Sequence, residues 1–281
     1  MTEGHASIEA TARQGNNLLL RIVASLVMAP LAIAIAYAGG WLWTGLVTLA
    51  AIGLYAEWLT VVGVRNVPLL LLGGLVLLGA AWIESGHFTA VNGAIVVALG
   101  VVVAAIFSRE RRGWAVLGIG YALAASIASN TVRHDPDSGF SALMLVLLVV
   151  WATDIGGYFA GRLIGGPKLW PQVSPKKTWA GAVGGFVASL AVAVGFAAFH
   201  LGKIMPLLLL AAALSVAAQF GDLFESAVKR RFGVKDSSHV IPGHGGLMDR
   251  LDGFVAAIVL AAIFGCLRGG ADSVGHALMV W

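Results

Sequence analysis

The sequence predicts an all-α, polytopic integral membrane protein: about nine transmembrane helices with a polar cavity facing the cytoplasm. Three observations predict it. First, 59% of the 281 residues are hydrophobic and only 11% are charged, against about 25% charged in a soluble domain. Second, the apolar runs are each about 17 to 23 residues long, the length a helix needs to cross a hydrocarbon core of roughly 30 Å. They lack the alternation of barrel strands. Third, the polar residues of the second half gather at one expected membrane face, around the stretch Ser226–Asp252.

Residues 1–17 are polar, carry both charge signs, and precede an apolar run too long for a signal-peptide core, so they read as a cytoplasmic tail. Spans are expected at about 18–38, 41–62, 68–84, 88–107, 113–130, 139–160, 179–200, 204–224 and 253–270. The first five form an N-terminal region, 18–138. The last four, with their cytoplasmic loops, form a catalytic region, 139–281. With a cytoplasmic N-terminus, all of the 18 Lys and Arg residues except Arg133, Lys203 and Arg268 fall on the cytoplasmic side, as the positive-inside rule requires. Adding or removing one span would put a basic cluster on the wrong side.

The first five spans carry few ionisable groups, Glu57 and Glu84 being the exceptions. Glu57, near the cytoplasmic end of span two, reads first as snorkelling or locally paired, with a place in the cavity as the alternative. The Arg109-Glu110-Arg111-Arg112 loop reads first as a topology signal and second as an anionic head-group site. The segment Arg133–Gly139 is a turn-rich external loop without evident chemistry. Cys266, the single cysteine, excludes an internal disulfide framework.

Function concentrates in the second half. A carboxylate inside a span costs about 2.5–3.5 kcal/mol on insertion scales, so Asp154 and Asp222 are functional candidates by default. On span six, Asp154 and Tyr158 share a face, and Gly157-x3-Gly161 permits close helix packing. On span eight, Ser215, Gln219, Asp222, Glu225, Ser226 and Lys229 recur at spacings of three and four, a polar stripe that reads as cavity-lining rather than as a polar helix interface. It leads into Ser226–Asp252, which holds five of the 18 basic residues and three of the 14 acids around the turn Pro242-Gly243-His244-Gly245-Gly246. Cations, close-approach glycines and carboxylates able to hold a hard metal are the parts of a polyphosphate site.

The run Ser226-x-Val228-Lys229-Arg230-x4-Lys235-Asp236-x-Ser238-x2-Ile241-Pro242-x-His244-Gly245-Gly246-Leu247-x-Asp249-Arg250-Leu251-Asp252 resembles the signature of the phosphatidate cytidylyltransferases, also called CDP-diacylglycerol synthases. Thr153–Arg162 and Ser174-Pro175-Lys176-Lys177-Thr178-Trp179-x-Gly181 are similar to the same family. The likeness is specific from Asp154 to Asp252; Gly253, where the family pattern has serine, and His239 in the variable part are small departures. The resemblance implies transfer of a cytidylyl group from CTP to phosphatidate, giving CDP-diacylglycerol and diphosphate. It implies Asp222, Asp249, Lys229 and Ser226 as catalytic residues. Metal ligands come from Asp222 and Asp249, then Asp154, Asp236 and Asp252. Lys176, Lys177, Arg230, Lys235, His244, Gly245, Gly246 and Arg250 would bind substrate. The expected cofactor is Mg²⁺, alone or with a second metal ion. Expected partners are CTP, phosphatidate and membrane lipids, in a homodimer without nucleic acid, with the protein multi-pass in the inner (cytoplasmic) membrane.

Competing motifs fail on spacing. The glycine turn does not end in Gly-Lys-Ser/Thr and is no Walker A loop. Ser226-x2-Lys229 has the spacing of a nucleophile pair, but a lysine at a basic membrane surface is charged and a poor base. Asp252-Gly253 does not continue into the Asp-Gly-x2-Ala-Arg pattern of enzymes that consume CDP-diacylglycerol. Two alternatives stay open: a transporter or channel with an intramembrane acidic site, and a cytidylyltransferase acting on another lipid phosphate.

Overall fold

A computed structural model of the chain describes residues 27–84, 90–108, 111–238 and 245–281. The expected tail, the Arg109-Glu110 pair, the Glu84 side chain, and His239, Pro242, Gly243 and His244 lie outside the described residues. The helices are α1 (Val27–Ala38), α2 (Gly40–Val61), α3 (Val67–Glu84), α4 (Ala90–Phe107), α5 (Arg112–His134), α6 (Gly139–Leu163), α7 (Trp179–Ala198), α8 (Ile204–Arg231), α9 (Met248–Gly269) and the short α10 (Val274–Met279). Among the described residues, α2, α5, α6, α7, α8 and α9 are long and apolar enough to cross a membrane, and α1, α3 and α4 supply shorter apolar stretches.

Two features were not expected from sequence. A two-stranded antiparallel hairpin, β1 (Lys168–Trp170) and β2 (Ser174–Thr178), stands between α6 and α7, pairing Lys168 with Thr178 and Trp170 with Ser174. It carries Lys176 and Lys177, which sequence reading placed in a plain loop. The second is α10, which folds back on the bundle. Asp135, in the loop read as chemically silent, is buried and accepts hydrogen bonds from the amides of Ser138 (2.7 Å) and His276 (2.9 Å). It fastens the turn before α6 to the start of α10.

The apolar core comes in three parts. α6, α8, α9 and α10 share one, built from Leu143, Val146, Leu207, Leu214, Ile258 and Leu278. α2 to α5 share another around Tyr55, Leu69, Leu77 and Ile119. Trp58 of α2, Val228 of α8 and Met248 and Val255 of α9 form the third, which joins the N-terminal helices to the acidic end of α8 and α9. The Trp58 indole satisfies its N–H on the Trp114 carbonyl at 2.8 Å.

α6 and α7 approach one another closely through facing glycines. A Cβ on Gly181 would stand 2.9 Å from the Gly157 carbonyl oxygen, and one on Gly161 would stand 3.1 Å from Thr178 Oγ1. In lipid, where apolar burial does not drive helices together, backbone contact between small residues is the available attraction. Thr178 also begins α7 as its N-cap, accepting from the Gly181 amide at 3.1 Å. The hairpin therefore ends where α7 starts, and Lys177 is held beside α6 and α8.

Candidate active site

A cavity of about 640 Å³ opens at the end of the bundle where α6 and α8 finish and α7 and α9 begin. Its polar walls come from four separate parts of the chain. α6 contributes Asp154, Tyr158 and Arg162, β2 contributes Lys176 and Lys177, α8 contributes Gln219 and Asp222, and the first turn of α9 contributes Asp249, Arg250 and Asp252.

Asp222 Oδ2 makes an ion pair with Lys177 Nζ, and both side chains are about 30% exposed, at 29% and 28%. Asp154 and Asp252 each lie within electrostatic reach of Asp222. Three carboxylates therefore face one another across a single opening, with a lysine as their cation. Asp252 Oδ1 also takes the Gly253 amide at 2.7 Å.

Behind this wall a second cluster is sealed. Lys229 Nζ stands 2.8 Å from Glu225 Oε1 and is also bonded to Asp249 Oδ1, and Glu225 is 1% exposed. Asp249 Oδ2 accepts from the Ser237 amide at 3.0 Å, the Ser237 hydroxyl at 3.1 Å and the Gly246 amide at 3.1 Å. Asp249 is thus an edge of the cavity whose oxygens are already engaged by the protein. A buried lysine between two carboxylates is the arrangement that keeps such charges in a low-dielectric site.

Glu57 of α2 completes the cluster. Its Oε2 accepts from the Ser237 hydroxyl at 2.7 Å and the Met248 amide at 2.8 Å, and its Oε1 accepts from the Ser238 hydroxyl at 2.6 Å and the Leu247 amide at 2.8 Å. Leu247 and Met248 begin α9, so Glu57 supplies from another helix the acceptors that the first amides of a helix lack. Sequence reading placed Glu57 as snorkelling, locally paired or in the cavity; its partners instead lie 180 or more residues away. The only signal in the sequence is a carboxylate near the end of an apolar run. The fit also accounts for Gly246: a Cβ there would stand 2.6 Å from Glu57 Oε2 and 3.0 Å from the Ser238 amide nitrogen. Gly245 has a φ of 85°, the left-handed region that favours glycine.

The polar stripe of α8 divides between these environments. Gln219 and Asp222 line the cavity, Glu225 and Lys229 belong to the sealed cluster, and fully buried Ser215 accepts from Thr153 Oγ1 at 2.8 Å between helices. Ser226 Oγ donates to Asp222 Oδ1 at 3.4 Å. Arg230, Lys235 and Asp236 are exposed, Arg230 donating to the Val234 carbonyl at 3.1 Å. The Gly246 amide is spent on Asp249. Lys176 is exposed at the cavity wall.

Comparison with known proteins adds independent weight. The sequence model of the cytidylyltransferase family matches residues 19–267. The chain belongs to that family. It is 36% identical over 267 residues to the phosphatidate cytidylyltransferase of Brucella suis biovar 1 (strain 1330), covering 92% of this chain and 96% of the relative. It is 48% identical over 128 residues to that of Staphylococcus haemolyticus (strain JCSC1435), covering 44% and 49% respectively. Over 137 residues it is 43% identical to that of Haemophilus influenzae (strain ATCC 51907 / DSM 11121 / KW20 / Rd), covering 47% and 48%.

The donor set suits Mg²⁺ completed by substrate. Among the described residues, no three His, Cys, Asp or Glu side chains are gathered tightly enough to hold a metal by themselves. Mg²⁺ usually takes one or two carboxylates together with substrate phosphates and water, and Asp222, Asp154 and Asp252 offer carboxylates on a cavity open enough for a triphosphate.

Proposed function

We propose that this cytidylyltransferase transfers the cytidylyl group of CTP to phosphatidate, yielding CDP-diacylglycerol and diphosphate, with Mg²⁺ held by Asp222, Asp154 and Asp252. The observation that carries the reading is the convergence of Asp154, Lys176, Lys177, Asp222 and Asp252, from four separate parts of the chain, on one cavity. Relatives named for this activity extend over nearly the whole chain.

The chemistry asks little of a base. A phosphate monoester, with a second pKa of about 6, is largely dianionic near neutrality. One of its oxygens bonds to the α-phosphorus of CTP as the bond to the β-phosphate oxygen breaks, and diphosphate leaves. Bound Mg²⁺ would neutralise phosphate charge during this exchange. Lys176 and Lys177 lie where they can neutralise the leaving diphosphate. Lys177 is paired with Asp222 before substrate arrives, so it is positioned without being consumed by a buried partner. The Lys229–Asp249–Glu57 cluster holds the start of α9, and with it Asp252 and Arg250, against α8.

The basic-residue asymmetry supports an inner-membrane protein whose cavity opens to the cytoplasm. Homodimerisation belongs with these proposals, with the mass of the detergent-solubilised protein as its readout. The experiment that tests the reaction is purified protein incubated with labelled CTP and a panel of lipid phosphates, with and without Mg²⁺. Labelled CDP-diacylglycerol, formed only with Mg²⁺ and best from phosphatidate, is expected. Preference for a polyprenyl phosphate would move the acceptor, and no transfer to any lipid phosphate would overturn the reading.

A further inference from the structure

A separate cavity, about 350 Å³, opens at the end of the bundle opposite the acidic one, where α2 begins, α5 ends and the chain leaves α9. Arg133 of α5 and Asp272, in the turn after α9, are its charged lining residues, and Trp41 of α2 adds an aromatic wall. The protein itself holds Arg133 in place. Its Nε donates to the Ala36 carbonyl at 2.5 Å and its Nη2 to the Tyr37 carbonyl at 2.9 Å, and Nη1 takes no part in either bond. Gly39 makes room for this seat: it has a φ of 66°, and a Cβ there would stand 3.0 Å from Arg133 Cζ.

The surroundings set the depth of this cavity in a bilayer. Tyr37 and Trp41 are 72% and 79% exposed, and amphipathic rings of this kind gather at head-group level. A guanidinium fixed at that level suits a phosphate, whose oxygens its planar fork can bind in pairs. Asp272 is exposed on the same cavity and complements a cation. A phosphodiester joined to an ammonium by a short linker is the head group of a zwitterionic phospholipid. A head group with negative charge alone would meet the carboxylate of Asp272 as a like charge.

We propose that this cavity binds the head group of a zwitterionic phospholipid, with the phosphodiester on Arg133 and the ammonium between Asp272 and the Trp41 ring. This lipid is not the acceptor of the reaction, because its site stands at the opposite ends of α5 and α9 from the acidic cavity. With the orientation proposed above, it belongs to the outer leaflet. A lipid bound there bridges α2, α5 and the turn after α9. Two of these helices carry Glu57 and Asp252 at their other ends, so the bound lipid braces the frame that brings α2 and α9 together and stabilises it by mass action.

Two measurements on the full-length protein test this. First, delipidated protein is titrated with phosphatidylethanolamine or phosphatidylglycerol, and bound lipid is counted by native mass spectrometry. Wild type should bind phosphatidylethanolamine about fivefold more tightly, the scale of one exposed ion pair. Asp272→Asn should remove that preference and Asp272→Lys should reverse it. Equal affinities in wild type, or a preference unchanged in both variants, would overturn the proposal. Displacement of the lipid by phosphoethanolamine alone would make this a site for a soluble ligand and overturn the lipid occupant. Second, phosphatidylethanolamine carrying a diazirine at the top of one acyl chain is photolysed on wild type. Label on α2 near Trp41 is expected, and label confined to the neighbourhood of Asp222 would contradict the site. Both readouts are of binding, so their failure leaves the proposed reaction standing.

Discussion

The Met248 amide donates a 2.8 Å hydrogen bond to Glu57 Oε2 across 191 residues of sequence. Glu57 is 4% exposed and, among the described residues, takes four hydrogen bonds, two from amides at the start of α9 and two from serine hydroxyls that follow α8. One carboxylate on an N-terminal helix therefore sets where the acid-bearing turn of α9 begins.

Glu57→Ala takes this acceptor from the Leu247 and Met248 amides, while the Ser237 hydroxyl keeps Asp249 Oδ2. At about 1–3 kcal/mol for each buried unsatisfied group, the loss should be on the order of 4 kcal/mol. Glu57→Gln keeps the shape but exchanges one acceptor oxygen for a donor, so about half of that loss is expected. The melting temperature in detergent should fall in the order wild type, Gln, Ala, with CTP turnover falling alongside. An Ala variant as stable as wild type would show that the clamp contributes nothing.

Lys229 is held between Glu225 and Asp249. Removing one partner of a buried pair costs about 3–5 kcal/mol, whereas replacing the pair with neutral groups of similar size is often neutral. Lys229→Met alone should therefore destabilise strongly, and Lys229→Met with Glu225→Gln should recover much of the stability. Thermal melts of the two variants measure this. Equal destabilisation in both would contradict the charge-pair account of the cluster.

Membrane orientation follows from the basic residues and is checked with single cysteines in a Cys266→Ala background. Asp137→Cys, exposed in the loop before α6, should react with an impermeant thiol reagent in intact cells. Asp236→Cys, exposed after α8, should react only after permeabilisation. The adjacent Ser237 is unsuitable, being buried and bonded to Glu57 and Asp249. The reverse pattern would invert the topology.

What was legible in the sequence and what was not divide along a physical line. Apolar runs announce helices because a span must satisfy its own backbone in lipid, and the runs fall where the helices stand. The small residues of α6 were readable as a packing surface because Gly157-x3-Gly161 repeats at one helical turn. Asp154 and Asp222 stood out because carboxylates are costly inside spans. Glu57 did not, because its meaning depends on Ser237, Ser238, Leu247 and Met248, and no local pattern links residues 180 or more positions apart. The same holds for the α8 stripe: its spacing placed six polar residues on one face, but only the arrival of α9 separates Asp222 in the cavity from Glu225 and Lys229 behind it. The hairpin was missed because its strands are three and five residues long, too short to show alternation.

The most direct test of the account compares Asp222→Asn with wild type. Asp222 is partly exposed, paired with Lys177 at the cavity and accepting from Ser226 Oγ, and ion pairs of this exposed kind contribute about 0–1 kcal/mol to stability. The substitution keeps the side-chain shape and removes the charge. Labelled CTP, phosphatidate and a Mg²⁺ titration are applied to both proteins after their melting temperatures have been matched. Mg²⁺-dependent formation of CDP-diacylglycerol by wild type, and its loss in an Asp222→Asn protein that melts normally, is the expected result. Substantial Mg²⁺-dependent product from Asp222→Asn would contradict the assignment of the acidic cavity as the site of cytidylyl transfer.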